Sequence, residues 1–273
     1  MVMQDVGAFA AALAIGLSLG LIGAGGSILT IPVFVYLLKI DPLSSGVYSM
    51  FVVGISSFVG GVQSIINGLV DLKASILFGI PSIAGVLIAT KFLSPAIPPE
   101  LFCIGSFNVS KQKVFMLCLA VLMFVAAVRM LNPIDTGDQK SIAKNASPVI
   151  LSSQGFLVGI ITGLLGIGGG FLIVPALFFW AGLPVKKSIG TALIIICSNC
   201  IFSFCSSYAS MQLDWPLLMK FSSIAIVGIL VGTRVSFKIQ SGYLKKAFGW
   251  FILCVSFYVV HKTLVPVPPH LLS

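Results

Sequence analysis

Charge is missing from stretches of this chain far longer than a soluble domain leaves bare. No Asp, Glu, Lys or Arg occurs at 6–38, 42–70, 74–90, 114–128, 145–185 or 188–213. A helix that crosses a bilayer needs about 20 apolar residues, and most of these runs reach that length. Charged residues are 8% of the sequence and apolar ones 58%, which excludes a soluble globule, a disordered chain, a collagen and a coiled coil. Irregular backbone is not tolerated against lipid, so the runs are expected to be helical. The fold class read from this pattern is an all-α polytopic membrane protein.

Cutting the chain at its charge and proline clusters leaves apolar segments near 6–22, 26–39, 46–69, 73–93 and 113–131. A second set follows at 149–166, 170–183, 188–210, 215–236 and 247–264. The expected organisation is a first transmembrane repeat at 1–131, a polar, proline-punctuated linker at 132–148, a second repeat at 149–265 and a C-terminal tail at 266–273. The N-terminus lacks a basic region and its apolar run continues past signal-peptide length, so it is expected to remain as a membrane helix.

The halves are copies. A shift of 143 residues lays Gly16 to Pro32 (GLSLGLIGAGGSILTIP) on Gly159 to Pro175 (GIITGLLGIGGGFLIVP), with eight identities in seventeen positions. Chance would give about two, at about one in ten per position. The same shift superposes Asp71 on Asp214 and Ala84 to Lys91 on Val227 to Arg234. The pattern is an internal duplication.

Helix length decides how the copies are oriented. Residues 6 to 39 in one helix would span about 50 Å, too long for a hydrocarbon core of about 30 Å. Gly23-Ala24-Gly25-Gly26 and Gly166-Ile167-Gly168-Gly169-Gly170 therefore read as tight turns, and each half opens with a helical hairpin. With three further spans the crossing number is odd, and the two five-helix repeats are expected to be inverted. Counting Lys and Arg does not separate this topology from a parallel one. In the inverted reading the linker, the Lys186–Lys187 loop and the loop with Arg234, Lys238, Lys245 and Lys246 face the cytoplasm.

The glycine turns are the first candidate site. Each is followed at once by a helix whose leading N–H groups lack intrahelical partners, and such amides with the positive dipole end attract anions. Gly25, Gly26 and Ser27 in one half and Gly168, Gly169 and Gly170 in the other are expected to meet near the midplane and enclose one small oxyanion. The plainer reading is that these glycines only permit close helix packing. A second candidate is a set of polar residues on apolar segments: Ser56, Ser57, Gln63 and Asn67, with Thr191, Ser198, Asn199, Ser203 and Ser206. Such groups either join helices or line a polar path. Asn199 carries the most weight, because a buried amide is costly to leave unsatisfied.

Lys91, Lys220 and Arg234 read as snorkelling cations near helix ends, with an electrostatic funnel as the alternative. Asp71 and Asp214 read as helix N-caps, with proton coupling as the alternative. Cys197 and Cys200 form a CxxC read as packing. Only two histidines exist, and neither makes a metal-type spacing with cysteine. No catalytic carboxylate pair, nucleotide-binding loop or other soluble-enzyme motif is present. The net charge of +9 is scattered through short loops rather than in a nucleic-acid stripe. No cofactor, no metal and no nucleic-acid partner is expected, and transport would be secondary.

The duplicated G-L-x-G-x-G-G-x-x-x-x-x-P element, with PVKKSIGTAL, MQLDW and VGTRVSFKI, resembles the TauE/SafE sulfite-exporter family, also called the 4-toluene sulfonate uptake permeases. The resemblance implies a transporter of small sulfur-containing anions such as sulfite, sulfonates or sulfoacetate. Gly25, Gly26, Gly168 and Gly169 match the family turns, Pro32 and Pro175 the prolines beyond them, and Thr191 the G-T-A/S-L element. The first half shows Tyr48-Ser49-Met50 in place of Gly-Thr-Ala, so a symmetric two-sided site is not expected. The expected protein is a multi-pass secondary carrier in the cell membrane, with a small anionic substrate, the lipid bilayer and a coupling ion, H+ or Na+, as its partners. A carrier of neutral metabolites and a membrane scaffold without substrate are the rival readings.

Overall fold

A computed structural model describes residues 2–23, 25–40, 42–93, 100–104, 107–110, 148–165, 170–207 and 213–264, with single positions between 117 and 131. Gly168 and Gly169, the linker over 132–147 and the tail over 266–273 lie outside the described residues. The helices are α1 (Val2–Ile22), α2 (Gly25–Pro32), α3 (Pro42–Ile66), α4 (Leu72–Ile88), α5 (Pro148–Leu165), α6 (Gly170–Phe179), α7 (Val185–Ser207), α8 (Trp215–Lys238) and α9 (Ser241–Leu264). Short π-helical turns at Val33–Leu37 and Ala89–Leu93 extend α2 and α4. Among the described residues, four stretches are long and apolar enough to cross a membrane: Ser44–Ile66, Leu72–Leu93, Val185–Ser207 and Trp215–Lys238. One departure from the sequence reading is a two-stranded antiparallel hairpin, β1 (Glu100–Ile104) with β2 (Phe107–Ser110), where only a loop was expected. Glu100 and the nearby prolines interrupt the apolar pattern there, while Phe102, Cys103 and Ile104 still favour a strand.

Local chemistry fixes the helix limits. Gly23 follows α1 at φ 75° and donates its N–H to the Leu19 carbonyl at 2.7 Å, so glycine ends the helix in the left-handed region. At the starts of α4 and α8 the Asp71 and Asp214 carboxylates accept from the amides of Ala74 and Leu217, at 2.9 and 3.1 Å. Both aspartates are the N-caps the sequence suggested.

Glycines then set how the helices pair. Gly16 of α1 packs on Ala225 and Gly228 of α8, and Gly20 packs on Ile229 and Gly232, so these helices run parallel. Gly155, Gly159 and Gly163 of α5 pack on Phe78, Ser82 and Val86 of α4, again in parallel. A 143-residue shift carries Gly16 onto Gly159, Gly20 onto Gly163 and Gly85 onto Gly228. One contact is thus built twice, between the first helix of each half and the fourth helix of the other. A Cβ at Gly20 would lie 2.6 Å from the Ile229 carbonyl, and one at Gly163 would lie 2.8 Å from the Ala89 side chain. Small residues let membrane helices approach this closely, and dispersion then replaces the hydrophobic drive that lipid removes.

The third pairing is antiparallel. Gly54 of α3 faces Cys200 of α7, Gly61 faces Ile194, and Ser64 lies against Gly190. The bundle therefore has a near end, where α4 and α7 begin, and a far end, where α3 and α8 begin. Phe34 packs with Tyr48 and Phe221 at centroid distances of 5.5 and 4.8 Å in the core. Phe58, Ile80, Val227, Trp250 and Phe257 are exposed on the outside. An apolar exterior of this extent is stable in lipid and not in water.

Candidate functional site

The middle of the antiparallel α3–α7 pair is polar. Asn199 of α7 is buried and donates from Nδ2 to Ser82 Oγ of α4 at 2.9 Å, while its Oδ1 has no partner. Ser56 and Ser57 of α3 are fully buried, and neither hydroxyl is hydrogen-bonded. The 143-residue shift carries Ser56 onto Asn199. The α3–α7 contacts also put these two residues at one level, since Gly54 meets Cys200 and Gly61 meets Ile194. Repeat-equivalent residues thus reach the same depth from opposite directions, and both carry buried polar atoms left open. Leaving such an atom unsatisfied costs about 1–3 kcal/mol, and orphaned groups in a packed interior point to an occupant such as water or a ligand.

Two reciprocal contacts bracket this region. At the near end the backbone N–H of Asp71 donates to the Thr191 hydroxyl at 3.0 Å. At the far end the backbone N–H of Asp214 donates to the Tyr48 hydroxyl at 2.6 Å. Asp71 and Asp214 are equivalent under the 143-residue shift, and so are Tyr48 and Thr191. Each half therefore ties the first residue of its fourth-helix cap to a hydroxyl on the third helix of the other half. This corrects the expected asymmetry: Tyr48, not Ser49, occupies the Thr191 position, and a phenol reaches the amide that a threonine reaches in the other half.

The profile of the family described as Sulfite exporter TauE/SafE matches residues 8–259. The chain belongs to this family. Among relatives of this TauE/SafE chain, a probable membrane transporter protein of Xylella fastidiosa (strain Temecula1) is 25% identical over 254 residues, 91% of this chain and 92% of that one. Probable membrane transporter protein YunE of Bacillus subtilis is 29% identical over 237 residues, 81% and 84% of the two chains. Sulfite exporter TauE/SafE family protein 3 of Arabidopsis thaliana is 27% identical over 111 residues, 41% of this chain and 23% of that one. No solved structure matches significantly. The TauE/SafE chain is thus a multi-pass membrane transporter of the cell membrane.

In this TauE/SafE chain the helix ends that precede the two glycine turns lie apart. Gly23 abuts Ile189 at the near end, whereas α5 ends against Val86 and Ala89 toward the far end. Ser82 is level with Asn199, so Ala89 is level with about residue 206 of α7, and the two places are separated by roughly 25 Å along the bundle. Gly25, Gly26 and Ser27 open α2, and Gly170 opens α6. The Gly26 carbonyl accepts from the Thr30 hydroxyl, and a Cβ at Gly26 would overlap the Leu19 side chain.

The remaining polar candidates scatter. Ser198 donates to the Ile194 carbonyl of its own helix at 3.1 Å, Ser203 is buried and Ser206 is exposed. Gln63 accepts from the Thr233 hydroxyl, and Asn67 donates to the Gln63 carbonyl at 2.6 Å. Lys91, Lys220 and Arg234 are exposed, as snorkelling predicts, and Cys197 and Cys200 are buried free thiols. Ser82 and Tyr48 were missed from sequence. The signal for Tyr48 was the 143-residue register itself. Ser82 had none beyond being the one hydroxyl in an otherwise apolar turn of α4.

Proposed function

We propose that this protein is a secondary carrier of small oxyanions, sulfur-containing monoanions such as hydrogensulfite and sulfonates above all, built from two inverted repeats of five helices at 1–131 and 149–265 around one central site. The observation that carries this reading is the pair Ser56 and Asn199: equivalent by duplication, level in an antiparallel pair, buried, and with side-chain atoms unpartnered. An inverted-repeat carrier keeps its site where the repeats cross, because that point alone is equally reachable from both sides.

The chemistry favours an anion with one charge. Hydroxyl and amide N–H groups can donate to it, and among the described residues no buried cation holds it so tightly that it cannot leave. A second charge would raise the desolvation cost steeply. Hydrogensulfite also offers a proton to the open Asn199 Oδ1. The amides of Gly25, Gly26 and Ser27 and those of Gly168, Gly169 and Gly170 serve as further donors to the anion. Thr191 and Tyr48 hold the two ends, and a coupling ion, H+ or Na+, drives the cycle. Among the described residues, Lys73, Lys186, Lys187, Arg234, Lys238, Lys245 and Lys246 belong to the near end, against Lys39, Lys91, Lys220 and Lys262 at the far end. The positive-inside rule turns the near end to the cytoplasm.

The test is uptake into proteoliposomes of labelled sulfite and toluene sulfonate, against a neutral solute of similar size. Wild type should carry the anions. Asn199→Ala and Ser56→Ala should each lower the rate about 10-fold or more, the loss expected for a hydrogen bond to a charged group, without loss of membrane insertion. Unchanged anion uptake by both variants would defeat the central site, and preference for the neutral solute would defeat the substrate class.

A further inference from the structure

Between α3 and α8, at the near end, a groove of about 310 Å³ is lined by Phe58, Val59, Val62, Gln63, Ile66, Leu230 and Arg234. Its two ends differ in chemistry. Arg234 is exposed one turn before α8 finishes, with no carboxylate partner among the described residues. Beside it the Gln63 side-chain oxygen lies within hydrogen-bond reach of the Thr233 hydroxyl, and the same amide carries an NH2 donor. From there the trough runs toward mid-bundle over Ile66, Val62 and Phe58, spaced by four residues on one face of α3, and over Leu230 one turn below Arg234. Eight residues of helix give about 12 Å of apolar floor. Phe58 and Ile66 are 57% and 78% exposed, so the trough opens sideways rather than into the bundle.

We infer that this groove is a binding site for one anionic phospholipid, its phosphate held by Arg234 and Gln63 and one acyl chain lying along Phe58, Val62 and Leu230. The polarity gradient matches such a molecule end to end: a cation and an amide donor at helix-terminus depth, then hydrocarbon wall toward the midplane. A free oxyanion would use only the first part, and a zwitterionic lipid brings a positive group that Arg234 repels. Charge at this end of the bundle agrees, since most of the described lysines and arginines gather there and anionic lipid is concentrated in the cytoplasmic leaflet. The site does not depend on what is carried, and its test involves no transport.

Detergent-purified protein is to be mixed with phosphatidylglycerol or phosphatidylcholine of identical acyl chains, and bound lipid counted by native mass spectrometry. Wild type should retain one phosphatidylglycerol in preference to phosphatidylcholine. Arg234→Gln should weaken that retention about 5-fold, the effect of about 1 kcal/mol per basic residue near anionic lipid. Val62→Trp, at a partly exposed position, should weaken it by filling the trough, and Lys91→Gln, the repeat-equivalent position at the far end, should leave it unchanged. Equal retention of both lipids by wild type, undiminished phosphatidylglycerol retention in both Arg234→Gln and Val62→Trp, or complete displacement by inorganic phosphate would each overturn the assignment.

Discussion

Tyr48 and Thr191 differ in size and shape, yet each hydroxyl accepts the backbone N–H of an aspartate that caps a helix of the other half. What the duplication has kept is an acceptor at a given place, and the side chain that supplies it has drifted. Removing either acceptor leaves an amide without a partner, at about 1 kcal/mol or somewhat more. Tyr48→Phe and Thr191→Val should each lower stability by that amount in unfolding titrations in detergent. The contacts lie at opposite ends of the bundle and share no partner, so the double variant should show the sum within about 0.5 kcal/mol. A clearly non-additive result would mean that the two ends communicate through the bundle. Gly26 teaches the opposite caution. Its Cα lies against Leu19, so Gly26→Val disturbs packing as well as any anion, and transport lost in that variant does not isolate the amide role.

At the scale of elements, the close pairs α1–α8 and α4–α5 rest on glycines that the sequence reading used only to detect the repeat. Gly16, Gly20, Gly159 and Gly163 are spaced for a close-packed stripe, but their alignment with the glycine turns drew attention to the turns. Gly16→Ala and Gly159→Ala would press a methyl into the carbonyls of Ala225 and Ser82. Each should cost about 1–3 kcal/mol through forced helix separation. Gly7→Ala, whose Cβ would find only the Leu37 side chain at 3.8 Å, should be neutral or slightly stabilising. Thermal unfolding of the three variants in detergent checks this, and equal effects at all three positions would refute the packing account. Span positions were legible because charge cannot stay in lipid: the 188–210 and 215–236 segments became Val185–Ser207 and Trp215–Lys238. The π-helical turns at Val33–Leu37 and Ala89–Leu93 were not legible, because a one-residue widening of the helix leaves the apolar pattern intact. The partner of Asn199 was hidden for a related reason: the Ser82 contact spans 117 residues of sequence and depends on how α4 and α7 lie together.

For the whole molecule, helix directions carry information that charge counting could not. If α3 runs one way, its antiparallel contact with α7 sends the equivalent helix of the second half the other way, whereas the parallel pairs α1–α8 and α4–α5 fit either orientation of the repeats. Inverted repeats predict that equivalent residues lie on opposite sides of the membrane, whereas parallel repeats put them on the same side. Lys91 and Arg234 are equivalent and both exposed, which makes them suitable reporters. In a background with every native cysteine replaced by serine or alanine, Lys91→Cys should react with an impermeant maleimide added outside intact cells. Arg234→Cys should react only after the cytoplasmic face is opened. Labelling of both from one side would rule out inversion, and with it the argument that Ser56 and Asn199 reach a shared central depth from opposite faces. Opposite labelling would leave the duplicated contacts at Thr191 and Tyr48 on opposite sides of that centre, the arrangement a carrier needs if it is to release one end while holding the other.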